Sequence, residues 1–149
     1  MVAVVLFFEL FVFGTWTQQT TGDPYFKEYY SEFKKTPAPR YNYNFSPPVS
    51  MYHALLIALE SGGWNATSLE NMKISVGLDY CAFGPYNSFM QIHQVTSPPV
   101  DWSPKQVNDT TYRYVWTTLV YSPPIHSLPP GWYYWVDAAT AELLTVPVL

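Results

Sequence analysis

Nine consecutive residues, Met72-Lys73-Ile74-Ser75-Val76-Gly77-Leu78-Asp79-Tyr80, alternate in register between two kinds of side chain. Only an extended chain sorts such a pattern onto two sides, because successive side chains of a strand point to opposite faces. Met72, Ile74, Val76, Leu78 and Tyr80 form one face; Lys73, Ser75, Gly77 and Asp79 form the other. The segment reads as a half-buried strand. Its apolar face needs a second layer to bury it, and the rest of the chain has to supply that layer.

A helix is the first candidate. Ser50 is a suitable N-cap for Met51-Tyr52-His53-Ala54-Leu55-Leu56-Ile57-Ala58-Leu59-Glu60, and Gly62-Gly63 ends the run. Met51, Ala54, Leu55, Ala58 and Leu59 follow the spacing of a core-facing stripe. Ser88 to Val95 reads as a second, less regular extended segment. Tyr112 to Tyr121 makes a strand that is apolar on both faces, so it belongs in the middle of a sheet or beneath a cover. Gly131 to Leu144 reads as strand, tight turn and strand, with Asp137 and Thr140 at the corner. Ser97-Pro98-Pro99, Ser122-Pro123-Pro124 and Leu128-Pro129-Pro130 separate these units, since proline lacks the amide that a ladder needs. The expected fold is α+β: one short amphipathic helix on an antiparallel sheet of three to five strands, spanning residues 49–149.

Two segments precede that domain. Val2 to Phe13 is apolar apart from Glu9, which predicts an export signal or membrane anchor over residues 1–17. The run has the length of a signal h-region and falls short of the roughly 20 residues of a full span. No Lys or Arg precedes it and no small-x-small site follows, so a buried strand or helix is the alternative. Residues 18–48 are rich in Tyr and Pro and read as a spacer. Within it, Asp23 and Pro24 open a short helix whose Tyr25, Tyr29 and Phe33 share one face. That stripe reads as a docking face onto the main domain.

Composition narrows the function. Aromatic residues make up 19% of the 149 and charged residues 12%, a balance opposite to that of disordered chains. A net charge of −4, with seven Lys+Arg, lacks the footprint of a nucleic-acid binder, so none is expected as a partner. Asn65-Ala66-Thr67 and Asn108-Asp109-Thr110 are glycosylation sequons in turn-like surroundings; Asn44-Phe45-Ser46 is weakened by Pro47. One cysteine, Cys81, excludes an intrachain disulfide framework. Together these traits point to an extracytoplasmic protein and suit a prokaryotic envelope, archaea included, better than an animal secretory pathway.

Chemistry is sparse. His53, His93 and His126 form no metal-binding spacing, and Cys81 reads as a small buried residue before it reads as a nucleophile paired with His93. Neither a nucleophile elbow nor a phosphate loop is present. The expectation is no catalytic residue, no cofactor and no metal. Aromatic rings concentrate in the C-terminal half, above all in Trp132, Tyr133, Tyr134 and Trp135. Both faces of that strand are aromatic, so one is covered or adhesive, and these four are the candidate partner-binding residues.

The helix Met51 to Leu59, the strands after it, and the closing Tyr134-Trp135-Val136-Asp137-Ala138-Ala139-Thr140-Ala141-Glu142 together resemble the PepSY family, over about Ser50 to Val146. Ala141 stands where the family motif has Gly. The resemblance implies a secreted or membrane-anchored regulatory module, with no catalytic residues to transfer. PepSY domains occur in protease pro-regions, which implies a protein partner at the envelope, a protease among the possibilities. The leading expectation is thus a non-enzymatic binding or regulatory module that meets the membrane through its N-terminal segment only. A structural subunit of the envelope with aromatics and glycans mediating assembly is the second reading, and a carbohydrate-binding module using exposed aromatics is the third.

Overall fold

A computed structural model describes residues 22–123 and 131–144. The apolar run Val2 to Phe13, His126, the Leu128-Pro129-Pro130 loop and residues 145–149 lie outside the described residues.

The order is α1 (Phe26–Phe33), β1 (Ala38–Pro39), α2 (Met51–Ser61), β2 (Lys73–Phe83), β3 (Phe89–Gln94), β4 (Lys105–Val107), β5 (Thr110–Tyr121), β6 (Gly131–Asp137) and β7 (Leu143–Leu144). Among the described residues this is an α+β fold with two helices and a seven-stranded sheet. The expected three to five strands are exceeded because β1, β4 and β7 are only two or three residues long, too short to leave a periodic trace. The sheet is also mixed rather than wholly antiparallel, since β1 lies parallel to β2 while every other pairing is antiparallel.

The architecture is built on one long antiparallel pair, β2 with β5, in register from Lys73 opposite Tyr121 to Phe83 opposite Thr111. Each flank of the pair is shared by two shorter strands. Beside β2 lie β1, near Ser75 and Val76, and β3, from Asp79 onward. Beside β5 lie β6, from Val115 to Tyr121, and β4, near Thr110 to Tyr112. The doubly apolar β5 is therefore central, as its composition predicted.

Helix α2 covers one face. The Ser50 hydroxyl accepts the His53 amide at 3.2 Å, satisfying one of the donors left open at a helix start. Ala54, Leu55, Ala58 and Leu59 are buried as their spacing predicted, with Tyr52 and Leu56 beside them, while Met51 is half-buried. They meet Ile74, Val76 and Leu78 of β2, Trp116 and Val120 of β5 and Val136 of β6 in a single core. Helix α1 adds Tyr29 and Phe33 to that core, with Tyr25 partly buried against it, so the predicted stripe is a docking face. Asp23 takes the Tyr25 amide at 2.9 Å and the helix proper begins at Phe26, two residues later than the sequence signal. Lys34, in the left-handed region at φ 49°, closes α1.

The other face was expected to be polar and wet, yet Gly77, Asp79 and Cys81 are buried. Two covers explain this. The Arg40 guanidinium lies over Gly77, where a Cβ would sit 2.1 Å from the Arg40 Nε, and reaches the Asp79 carboxylate two residues on. Farther along, the sheet curls. Phe89 on β3 and Trp135 on β6 stand three strands apart, a separation of roughly 14 Å in a flat sheet. Their ring centroids are 5.0 Å apart. Twist accumulated over the long β2–β5 pair, with a bulge between Tyr80 and Cys81, swings β3 across this face and encloses Cys81 and Val115.

Candidate functional site

β6 carries the four candidate residues and splits them between the two faces. Trp132 and Tyr134 lie on the α2 side, opposite Val120 and Thr118; Tyr133 and Trp135 lie on the other side, opposite Leu119 and Thr117. On the α2 side, Trp64 just beyond the helix donates its indole N–H to the Tyr134 hydroxyl at 2.8 Å and meets Trp132 edge to face at 5.1 Å. Gly62 makes that junction possible, because a Cβ there would lie 2.1 Å from the Tyr134 oxygen. Tyr134 is thus structural, while Trp132 remains 52% exposed. On the far side, Tyr133 stacks on Trp135 with ring centroids 5.8 Å apart and planes 12° from parallel. Trp135 continues onto Phe89, and Phe89 onto Phe83 at 5.3 Å. Tyr133, 46% exposed, is the open end of this ladder. The four residues are therefore two surfaces rather than one.

The turn after β6 is organised by Asp137. Its Oδ1 accepts the amides of Ala139 and Thr140 at 2.8 and 2.9 Å, and the Thr140 hydroxyl accepts the Glu142 amide at 3.3 Å. Ala141 holds φ at 64°, the left-handed conformation that glycine adopts without strain. Asp137 is buried, and Arg113 reaches both it, at 3.1 Å, and Glu142, at 2.5 Å. Asp79 and Asp137 stand on either side of Val115 in register, each with its own arginine. These carboxylates hold structure together, and Asp79 also accepts from the Gln91 side-chain Nε2 at 2.9 Å.

Cys81 and His93 do not meet. Cys81 faces Gln91 across the β2–β3 ladder, whereas His93 faces Tyr80 on the opposite side, with rings 5.3 Å apart. Burial, with a smaller push from Asp79, raises the Cys81 thiol to about 12, so it stays protonated and inert. His53 stacks on Tyr25 at 4.0 Å. Among the described residues no group of three or more His, Cys, Asp or Glu side chains is placed to hold a metal ion. Both sequon asparagines are exposed. Asn65 uses its Oδ1 to take the Ser68 amide at 2.9 Å, and Asn108 occupies the β4–β5 turn at φ 52°.

A cleft of about 530 Å³ lies between residues 39–47 and the first turn of α2, with Trp116 contributing to its lining. Residues 41–45 form no strand, but they are fastened in place. The Arg40 amide donates to the Val76 carbonyl at 2.7 Å, the Tyr43 hydroxyl accepts the Leu78 amide at 2.8 Å, and the Trp116 indole donates to the Val49 carbonyl at 2.8 Å. Tyr41, Tyr43 and Phe45 meet edge to face in sequence, and Tyr43 meets Trp116 in the same way at 5.4 Å. Sequence reasoning missed this cleft. The only local signal was Tyr41-Asn42-Tyr43-Asn44-Phe45, an alternation of ring and carboxamide held between prolines and read as part of a spacer.

No protein-family model matches the chain, and neither a curated protein nor a solved structure matches it.

Proposed function

We propose that the chain is a non-enzymatic, PepSY-like binding module that works outside the cytoplasm and holds a protein partner, a protease in the leading case, by occluding it with β6. The observation that carries the reading is the ring ladder ending in Tyr133. A stacked, rigid pair of rings offers a partner a large contact area with little side-chain freedom left to lose. Trp132, exposed on the opposite face of the same strand, extends the contact around its edge. The positive φ at Ala141 supports the family part of the reading, because it preserves the backbone of the motif's glycine without the glycine itself.

Cross-linked capture of the full chain from its own envelope tests the proposal, comparing wild type with a Trp132→Ser/Tyr133→Ser variant. Both side chains are surface-exposed, so the variant keeps its fold. Capture of one stoichiometric partner by wild type and its loss in the variant are expected. Undiminished capture by a folded variant would overturn the choice of β6, and recovery of only the chain itself would favour an assembly role.

A further inference from the structure

We propose that the cleft formed by residues 39–47 and the first turn of α2 is a binding site for a neutral saccharide of one or two rings. It shares no residue with the β6 surface and stands independently of the partner reading.

The size is appropriate, since about 530 Å³ falls within the roughly 300–1,000 Å³ of small-ligand pockets. Charge then limits the ligand class. Two of the lining residues are ionised, Arg40 and Asp23, and each already has a protein partner. Arg40 is bound to the buried Asp79, and Asp23 caps the turn into α1 through the Tyr25 amide. With the cation neutralised by Asp79 and the Asp23 carboxylate still negative, the cleft has no free positive charge to hold an anionic ligand.

What remains available is neutral and polar. The carboxamides of Asn42 and Asn44 are exposed and make no hydrogen bond among the described residues. Each presents one acceptor and two donors, the complement needed by adjacent hydroxyls that both give and receive. The rings offered to a ligand are Tyr41, 41% exposed, and the half-buried Phe45, while Tyr52 and Trp116 form the buried floor beneath them. A pyranose combines a face of C–H groups that packs on rings with a rim of neutral hydroxyls that bonds amides. This lining matches both halves of that description.

Preorganisation argues the same way. Tyr43 is tied to the β2 backbone, Arg40 to Val76, and Trp116 to Val49, so the walls stand without a ligand and little ordering cost falls on binding. An extended peptide would draw on backbone pairing, which residues 41–45 do not offer as a strand.

The test is NMR on the full chain, following the Trp116 indole N–H during titration with glucose, mannose, N-acetylglucosamine, cellobiose and maltose. The expected result is a saturable shift of that resonance with at least one of these sugars. Asn42→Ala/Asn44→Ala should weaken it about tenfold or more, as expected for the loss of hydrogen bonds made on binding. Trp132→Ser should leave it unchanged. Among the described residues neither asparagine side chain makes a hydrogen bond, so the double variant reports on binding. Absence of any shift with all five sugars, an affinity unchanged in the double asparagine variant, or saturation by a proline-rich peptide in place of the sugars would each overturn the proposal.

Discussion

Among the described residues two buried hydroxyls have nothing to bond to, and each is a point where this molecule is less stable than it could be. Tyr29 Oη and Thr118 Oγ1 are enclosed with no hydrogen-bond partner. A buried polar atom left unpaired costs about 1–3 kcal/mol. Thr118→Val keeps the shape, keeps a β-branched residue in a central strand and removes the orphan oxygen. It should stabilise the fold by about 1 kcal/mol and raise Tm by roughly 3 °C in a thermal melt. Titration supplies a second expectation. The Cys81 thiol, raised by burial from 9.0 to about 12, keeps its proton in the folded state at pH values where the unfolded chain has lost it. Its contribution is complete below pH 9 and is lost as pH rises toward 12. Tyr52, raised by burial and by Asp23 from 10.0 to about 12, acts in the same direction at higher pH. Urea denaturation should therefore show stability falling above pH 9, and Cys81→Ala should flatten the first part of that fall, below the range in which tyrosine ionises. An unchanged slope in Cys81→Ala would assign the effect to other groups.

Elements with enough length announced themselves. β2, β5 and β6 were legible from alternation or β-branched content, and α2 from its stripe and the Ser50 cap, because each is decided mainly by its own residues. β1, β4 and β7 were not, because two or three residues carry no period and exist as strands only where a neighbour pairs with them. Asp79 shows the same limit in one side chain: alternation placed it on the polar face correctly, but its burial depends on Arg40, 39 residues earlier. The candidate site divides in this way too. The β6 rings were visible as a cluster, whereas the cleft takes its walls from residues 39–52 and Trp116, which only tertiary packing brings together. At the turn between β6 and β7 the local strain is explicit. Ala141 pays for a left-handed backbone that glycine adopts freely, so Ala141→Gly should stabilise the hairpin by up to about 1 kcal/mol in chemical denaturation. A loss of stability there would mean that the packing of the Ala141 methyl group against the core outweighs its backbone strain.

For the molecule as a whole, the segment read as a spacer is part of the fold. Its helix completes the core and its Arg40 covers the far face of the sheet. Removing that guanidinium leaves a carboxylate that is 1% exposed with, among the described residues, only the Gln91 side-chain Nε2 as a hydrogen-bond donor. Arg40→Met, which retains the apolar stem, should cost roughly 3 kcal/mol in urea denaturation, in keeping with breaking a buried ion pair from one side. A change under 1 kcal/mol would show that water reaches Asp79 and screens it. Both buried carboxylates have one more property in common. Arg40 precedes Asp79 by 39 positions, and Arg113 precedes Asp137 by 24. A chain delivered from its N-terminus by synthesis therefore brings out each cation before the anion it will neutralise. That order lets each acid find its counter-charge already synthesised when its strand joins the sheet.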